Sequence, residues 1–415
     1  MSPTRGDDRA WPARTKSAAP PARHDAQPRG VFGGTSWRLG HVAGIDVNVD
    51  RSWILIFVLI AMSLSFQLEA QQADWSPPAR WSAALATSVL FFASILLHEL
   101  GHSLTAMRFG IRVRSITLFI FGGLAQFESD PRRPAHEVLI ALAGPLVSAL
   151  LGIAFLGLSR AIPASGSLAA LVVASLSWLG SINLLLAAFN LVPAFPLDGG
   201  RVLRGVVWSL TGSFERATRL AAGAGSLFAY TLMGLGALTT VLQGQIVGGL
   251  WLVLIGWFLL TASRSAIGAL ELERHLGGVL VAQVLRQVDT ARVTGGESIE
   301  EIAREAVFRH GLRTLYVTDS DARLRGLVTL RELVAIPADQ RASTRIEAVM
   351  VPVERLAVVS AGESCWIALR RMAERGVNQL PVVDGGRLVG EVTRERLVHL
   401  VQSGLLPERG PRGRA

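Results

Sequence analysis

Between Leu220 and Ser263 the chain runs for 44 residues without a charged side chain. One bilayer crossing needs only ~20 apolar residues, so this run holds two spans, and Gln243-Gly244-Gln245 supplies the turn between them. Four more apolar stretches precede it. The six lie near Trp53–Leu68, Ala83–Met107, Val138–Leu158, Leu168–Val192, Leu220–Leu242 and Ile246–Ala262. Half of the 415 residues are hydrophobic and 18% are charged, against about 25% in soluble domains. The expected fold class is an α-helical polytopic membrane protein with about six transmembrane helices.

Arginine placement sets the orientation. Arg5, Arg9, Arg14, Arg23, Arg29 and Arg38 precede the first span; Arg112, Arg114 and Arg132 follow the second. Arg201, Arg204, Arg216 and Arg219 follow the fourth and Arg264 the sixth, while the outer loops keep only Arg80 and Arg160. The positive-inside bias then places a cell-membrane protein with its N-terminus, and everything beyond the sixth span, in the cytoplasm. The net charge of +9 is dispersed along the chain, with Lys16 the one lysine, so direct nucleic-acid binding is not expected. Residues 1–40, rich in Pro, Ala, Gly and Arg, read as a disordered cytosolic tail with no apolar signal segment, and residues 407–415 as a second tail. The single cysteine, Cys365, excludes an intrachain disulfide, fits a reducing compartment and reads as a small core residue.

From about Val279 the sequence turns charged, β-branched and soluble, and it repeats. Residues 315–319 (LYVTD) align with 380–384 (LPVVD), and 326–332 (GLVTLRE) with 390–396 (GEVTRER). Each copy reads as helix, strand, turn, strand, helix, which predicts a cytosolic α/β pair related by a pseudo-twofold axis. The expected division is a membrane domain over 41–270 and two modules over 279–336 and 344–401.

The chemistry-bearing pattern is His98-Glu99-Leu100-Gly101-His102, closing the second span. On a helix, histidines at i and i+4 share one face and can hold one Zn²⁺, with Glu99 beside them as general base toward water. Ionisable groups at that depth cost ~2.5–3.5 kcal/mol each, so they need a partner. Zinc requires a third protein ligand. After 37 uncharged residues, Ala161 to Leu197, comes Asp198 in NLVPAFPLDGGR (190–201), and span counting brings it to the same depth. Asn190 and Asn183 lie on one face of the fourth span. Asn190 is the candidate donor to a developing oxyanion; Asn183 reads as interhelical glue. Residues 115–128 (SITLFIFGGLAQFE) are β-rich and broken at Gly122-Gly123. They predict either a re-entrant hairpin, whose edge would pair with an extended substrate, or an ordinary cytosolic hairpin.

HELGH (98–102), FGGLAQF (121–127), ALAGPLVS (141–148) and NLVPAFPLDGGR together resemble the site-2 protease family, the intramembrane zinc metalloproteases of peptidase family M50. The repeat resembles a tandem pair of cystathionine-β-synthase (CBS) domains, and the two likenesses cover about Trp53 to Val401. The resemblance implies zinc, one per chain, on His98, His102 and Asp198, with Glu99 as base and Asn190 steadying the transition state. It also implies a transmembrane protein substrate, such as a membrane-bound transcriptional regulator. CBS pairs bind adenine nucleotides through a G-x-x-T-x-x-D pattern. The first copy offers Gly326, Thr329 and Glu332; the second offers Gly390 and Thr393, with Arg396 in place of the acid. A guanidinium accepts no hydrogen bond, so a module for docking or homodimerisation without ligand stands beside the nucleotide reading. The alternative function is a CBS-gated transporter or channel. It would need charged groups across the whole bilayer, whereas here they cluster at one depth.

Overall fold

A computed structural model describes residues 36–404 except 73, 164, 289–290 and 305–313. The expected C-terminal tail, 407–415, and residues 1–35 of the N-terminal one lie outside the described residues. The chain divides into two compact units, with the boundary between Leu260 and Thr261.

The first unit opens with β1 (Ser36–Val42) and β2 (Ile45–Asp50), paired antiparallel. Residues 36–40, expected within the tail, are therefore strand. Trp37, Arg38 and Leu39 are exposed, so β1 has no apolar alternation to announce it; its pairing to the buried β2 orders it. Helices α1 (Ser52–Gln71), α2 (Pro77–Arg108), α3 (Pro134–Ala161) and α4 (Ser167–Asn190) follow, with the hairpin β3 (Val113–Phe119) and β4 (Gly122–Phe127) between α2 and α3. A shorter helix, α5 (Asp198–Thr211), leads to α6 (Phe214–Gln243) and α7 (Ile246–Leu276).

All six expected spans are helices of 20 to 32 residues, or ~30–48 Å at 1.5 Å per residue, enough to cross a bilayer. Prolines at the first turns of α2 and α3 cost nothing there, because those N–H groups have no intrahelical partner. Gly244 adopts φ +66° and ends α6 at the expected turn. Leu146, Leu150 and Ile153 on α3, and Leu227, Leu235 and Val241 on α6, point outward, the pattern of helices whose solvent is lipid. The sheet order is β1-β2-β3-β4, with β2 and β3 parallel, which leaves β4 as an outer strand. Ile45, Ile116, Leu100 and Ile140 pack β2 and β3 onto α2 and α3.

The second unit contains the last turns of α7 and both copies of the repeat. Copy one comprises β5 (Arg292–Thr294), α8 (Ile299–Ile302), β6 (Thr314–Thr318), β7 (Leu324–Thr329) and α9 (Leu330–Val334). Copy two comprises β8 (Val351–Pro352), β9 (Val359–Ser360), α10 (Cys365–Arg375), β10 (Gln379–Asp384), β11 (Arg387–Thr393) and α11 (Arg394–Ser403). The lead-in segments are exchanged. β8, from the start of the second copy, pairs with β7 of the first, and Arg286, from the start of the first copy, bridges Glu391 on β11 of the second. Glu391 is buried; it accepts from the Arg286 guanidinium and, at 2.6 Å, from the Tyr316 hydroxyl. Leu272 and Leu276 of α7 pack into the second copy's core beside Cys365 and Met372.

Candidate active site

Helical spacing puts His98 and His102 on one face of α2, each 4% exposed. Asp198 is the first residue of α5, where the helix's partial positive charge favours a carboxylate. Its Oδ2 stands 3.3 Å from His98 Nε2 and 3.2 Å from His102 Nε2, and the two Nε2 atoms are 3.2 Å apart. These three side chains are a group that could hold a metal ion.

The donor set fits zinc on two counts. Ligand atoms at zinc's usual bond lengths of ~2.0–2.2 Å and tetrahedral angles lie ~3.3–3.6 Å apart, close to the edges of this triangle. The second count is protonic. His102 Nδ1 lies 2.7 Å from the Ile140 carbonyl, which only accepts, so Nδ1 carries the proton and a neutral ring turns its Nε2 lone pair inward. His98 Nδ1 is held 2.9 Å from the Ser148 hydroxyl. Lone pairs and a carboxylate oxygen converging this closely repel one another unless a proton or a metal cation lies among them.

Glycine lets the neighbouring elements close on this triangle. A Cβ on Gly144 of α3 would lie 2.2 Å from His102 Nε2 and 2.7 Å from His98 Nε2. A Cβ on Gly123 of β4 would lie 2.3 Å from Glu99 Cγ. Glu99, Asn190 and Asp198 line one cavity of about 450 Å³, together with His98, His102 and Arg201. The rest of its wall is largely apolar, from α1, α4, α7 and the hairpin. Asn190 ends α4 and is half-buried. Asn183 is not among the cavity's lining residues, and among the described residues its side chain bonds to no other helix: its amide donates to Leu179 of its own helix at 2.8 Å. The expected hairpin forms, with β4 as its outer strand beside Glu99. Ser148 and Gly144 carried no assigned role in the sequence, and Gly123 only that of a break in the β-rich run; their signal was small residues interrupting apolar runs.

The CBS residues have local work. Thr329 and Glu332 form a capping box on α9, in which Glu332 Oε2 accepts from the Thr329 backbone N–H at 2.9 Å and from its hydroxyl. Thr393 caps α11, accepting from the Arg396 N–H at 3.3 Å, and Arg396 Nε donates to the Val284 carbonyl at 2.7 Å. Gly326 and Gly390 admit backbone: a Cβ would lie 2.7 Å from Val351 O in one case and 2.6 Å from Arg286 O in the other. Those are the two exchanged lead-in segments.

Residues 86–171 and 159–232 match the model of peptidase family M50, and residues 285–339 and 346–403 each match that of the CBS domain. A protein of Synechocystis named as a candidate zinc metalloprotease is 31% identical over 378 residues, covering 90% of this chain and 97% of the relative. Rip3 of Mycobacterium tuberculosis, named likewise, is 34% identical over 365 residues, covering 88% of this chain and 92% of the relative. The structure of the site-2 protease from Methanocaldococcus jannaschii is 30% identical and covers 56% of this chain and 95% of that one, with a TM-score of 0.39. The likeness to metalloproteases over nearly their whole length sets aside the transporter alternative. The chain belongs to peptidase family M50: it is a multi-pass membrane zinc metallopeptidase that carries a tandem pair of CBS domains.

Proposed function

We propose that this chain is an intramembrane endopeptidase that cleaves transmembrane segments of membrane proteins, with His98, His102 and Asp198 holding zinc, Glu99 as general base and Asn190 as oxyanion donor. The observation that carries the reading is the buried His-His-Asp triangle opening, beside Glu99, into a cavity with an apolar wall. Zinc bound there supplies a Lewis acid for the scissile carbonyl and makes water a nucleophile near neutral pH. Glu99 takes the proton from the attacking water and returns it to the leaving amine. The Asn190 amide donates to the carbonyl oxygen as it gains charge. The outer edge of β4 receives the unwound substrate as an added strand, and Gly123 lets that edge approach Glu99. The apolar wall keeps bulk water from the reaction.

Arginine placement supports a cytoplasmic N-terminus and cytoplasmic CBS pair, with the site near the inner face. A membrane-anchored regulator is the substrate class proposed. The decisive experiment uses purified full-length protein in liposomes with a transmembrane substrate. Glu99→Gln should retain stoichiometric zinc and lose cleavage; cleavage at the wild-type rate would refute the mechanism.

For the CBS pair the proposal is one adenine nucleotide at the first half-site, modulating cleavage. Support comes from Gly326, Thr329 and Glu332, where the capping box uses only Oε2 of the glutamate. Thr393 would serve a second half-site only if Arg396 left Val284. Calorimetry with AMP and ATP on wild type and Glu332→Ala tests this. Absence of binding leaves the pair as a docking or homodimerisation module.

A further inference from the structure

Arg201 lies one turn after Asp198 on α5 and lines the same cavity. Its side chain is 17% exposed, and its guanidinium carbon sits 5.6 Å from the centre of the Phe127 ring. The carboxylate beside it, Glu137, is engaged through one oxygen, its Oε1, while Oε2 has no hydrogen-bond partner among the described residues. Glu137, fully buried, accepts from Arg204 Nε at 2.8 Å and also from Arg204 Nη2, while Arg201 Nε stands 3.9 Å away. The Arg201 guanidinium thus stands beyond hydrogen-bond reach of Glu137, and it shares its cavity with the carboxylates of Glu99 and Asp198. Among the described residues, the Arg201 guanidinium makes no hydrogen bond; only the backbone N–H does, to the Leu197 carbonyl at 3.2 Å. A guanidinium carries five N–H donors and accepts none, so this group calls for an anionic or carbonyl partner.

The hairpin shows where that partner would lie. Phe127 ends β4, and Gly123, four residues back on the same face, is the point where the strand meets Glu99. At ~3.4 Å per residue, the strand position that meets Glu99 and the one that meets Arg201 lie ~14 Å apart along β4. We infer that Arg201 is a specificity-determining residue: it takes an acidic side chain of the substrate about four residues from the scissile bond. This rests on the reading above, in which the substrate pairs with β4 and is cleaved beside Glu99. A planar fork in a half-dry site selects a carboxylate by paired, charge-assisted hydrogen bonds and repels lysine. An anionic lipid headgroup would offer similar chemistry, but Arg201 shares its cavity with Glu99, which favours the substrate.

The test uses full-length protein in phosphatidylcholine liposomes, with a transmembrane substrate whose cleavage position is mapped by mass spectrometry. Asp, Asn or Lys is placed singly at each position three to five residues on either side of that bond. Wild type should favour Asp over Lys at one of these positions by ~10-fold in kcat/KM, Arg201→Gln should remove the preference, and Arg201→Glu should reverse it. Binding is measured separately by fluorescence anisotropy in Glu99→Gln and Glu99→Gln/Arg201→Gln proteins, so that affinity is read without turnover. A wild type indifferent to charge at every position overturns the inference, as does an Asp preference that persists in Arg201→Gln. An Asp preference that appears only when anionic lipid is added overturns it in favour of the headgroup. Cleavage by Glu99→Gln would instead refute the underlying reading, so the two failures are distinguishable. If Arg201→Glu loses zinc, Arg201→Gln and the wild-type scan still decide.

Discussion

Gly144→Ala is the sharpest test of the site's construction. The added methyl would lie 2.2 Å from His102 Nε2, where an unstrained contact needs ~3.4 Å, so the ring must retreat by ~1 Å. Zinc sites tolerate deviations of only ~0.2 Å in ligand distance, and a misplacement of ~1 Å in a catalytic group costs ~100-fold in rate. At 1.36 kcal/mol per decade that is about 2.7 kcal/mol of transition-state stabilisation. Cleavage of a transmembrane substrate in liposomes should fall by about two decades in kcat/KM. Zinc affinity, read by chelator competition, should fall by ~10–100-fold. Gly157 lies on the same helix, and a methyl added there would have nothing within 4 Å, so Gly157→Ala is the control that should leave both quantities unchanged. Wild-type zinc affinity with a rate within threefold of wild type in Gly144→Ala would refute the claim that α3 closes on the histidines at this glycine.

Three further outcomes concern the second unit. Cys365 is fully buried and its thiol is pushed up to about 12 by burial, so a maleimide at pH 8 should label native protein at least ~100-fold more slowly than denatured protein; fast native labelling would contradict the packing. Burial, followed by the Glu391 charge, raises the Tyr316 hydroxyl above the ordinary 10.0. The folded state keeps a proton that the unfolded chain releases, so this contribution to stability is fully present below pH ~10 and is lost as pH rises beyond it. Denaturant titrations from pH 9 to 11 should show that decline in wild type and a flatter profile in Tyr316→Phe. Thr329→Ala removes the cap of α9 and should lower stability by ~0.5–2 kcal/mol in the absence of nucleotide, as measured by urea unfolding of the CBS unit monitored through Cys365 labelling; no change would argue against the capping role.

The spans are legible because a membrane imposes one requirement on every residue of a helix, and a 44-residue uncharged run leaves few ways to meet it. His98, His102 and Asp198 are legible for the same reason, since polar groups in apolar surroundings stand out. What stays hidden depends on distance along the chain. Ser148 is 50 residues from His98, and the Ile140 carbonyl is 38 from His102; no local pattern joins them. The pairing of Glu137 with Arg204 is equally remote, at 67 residues. Strand β1 reads as tail because its order comes from its partner and not from its own composition. Thr329-x-x-Glu332 carries two meanings, a nucleotide pattern and a capping box, and only the fold displays the second. Asn183 reads as a link between helices because polar side chains within spans often bridge them, but its acceptor is one turn away in its own backbone.

The traded lead-in segments of the CBS unit bear on how the chain is made. During synthesis the first copy's sheet stays one strand short until Val351 and Pro352 have left the ribosome, because β8 is supplied from beyond the copy itself. Arg286, by contrast, emerges 105 residues before Glu391, the carboxylate it is to meet. Contacts so far apart in sequence are slow to close, and unpaired strand edges left waiting are open to wrong pairing. A nascent chain halted between the copies would thus present a bare β7 edge and an unmatched arginine, so the window for wrong pairing stays open until residues 351–391 have emerged, after the membrane helices have been made.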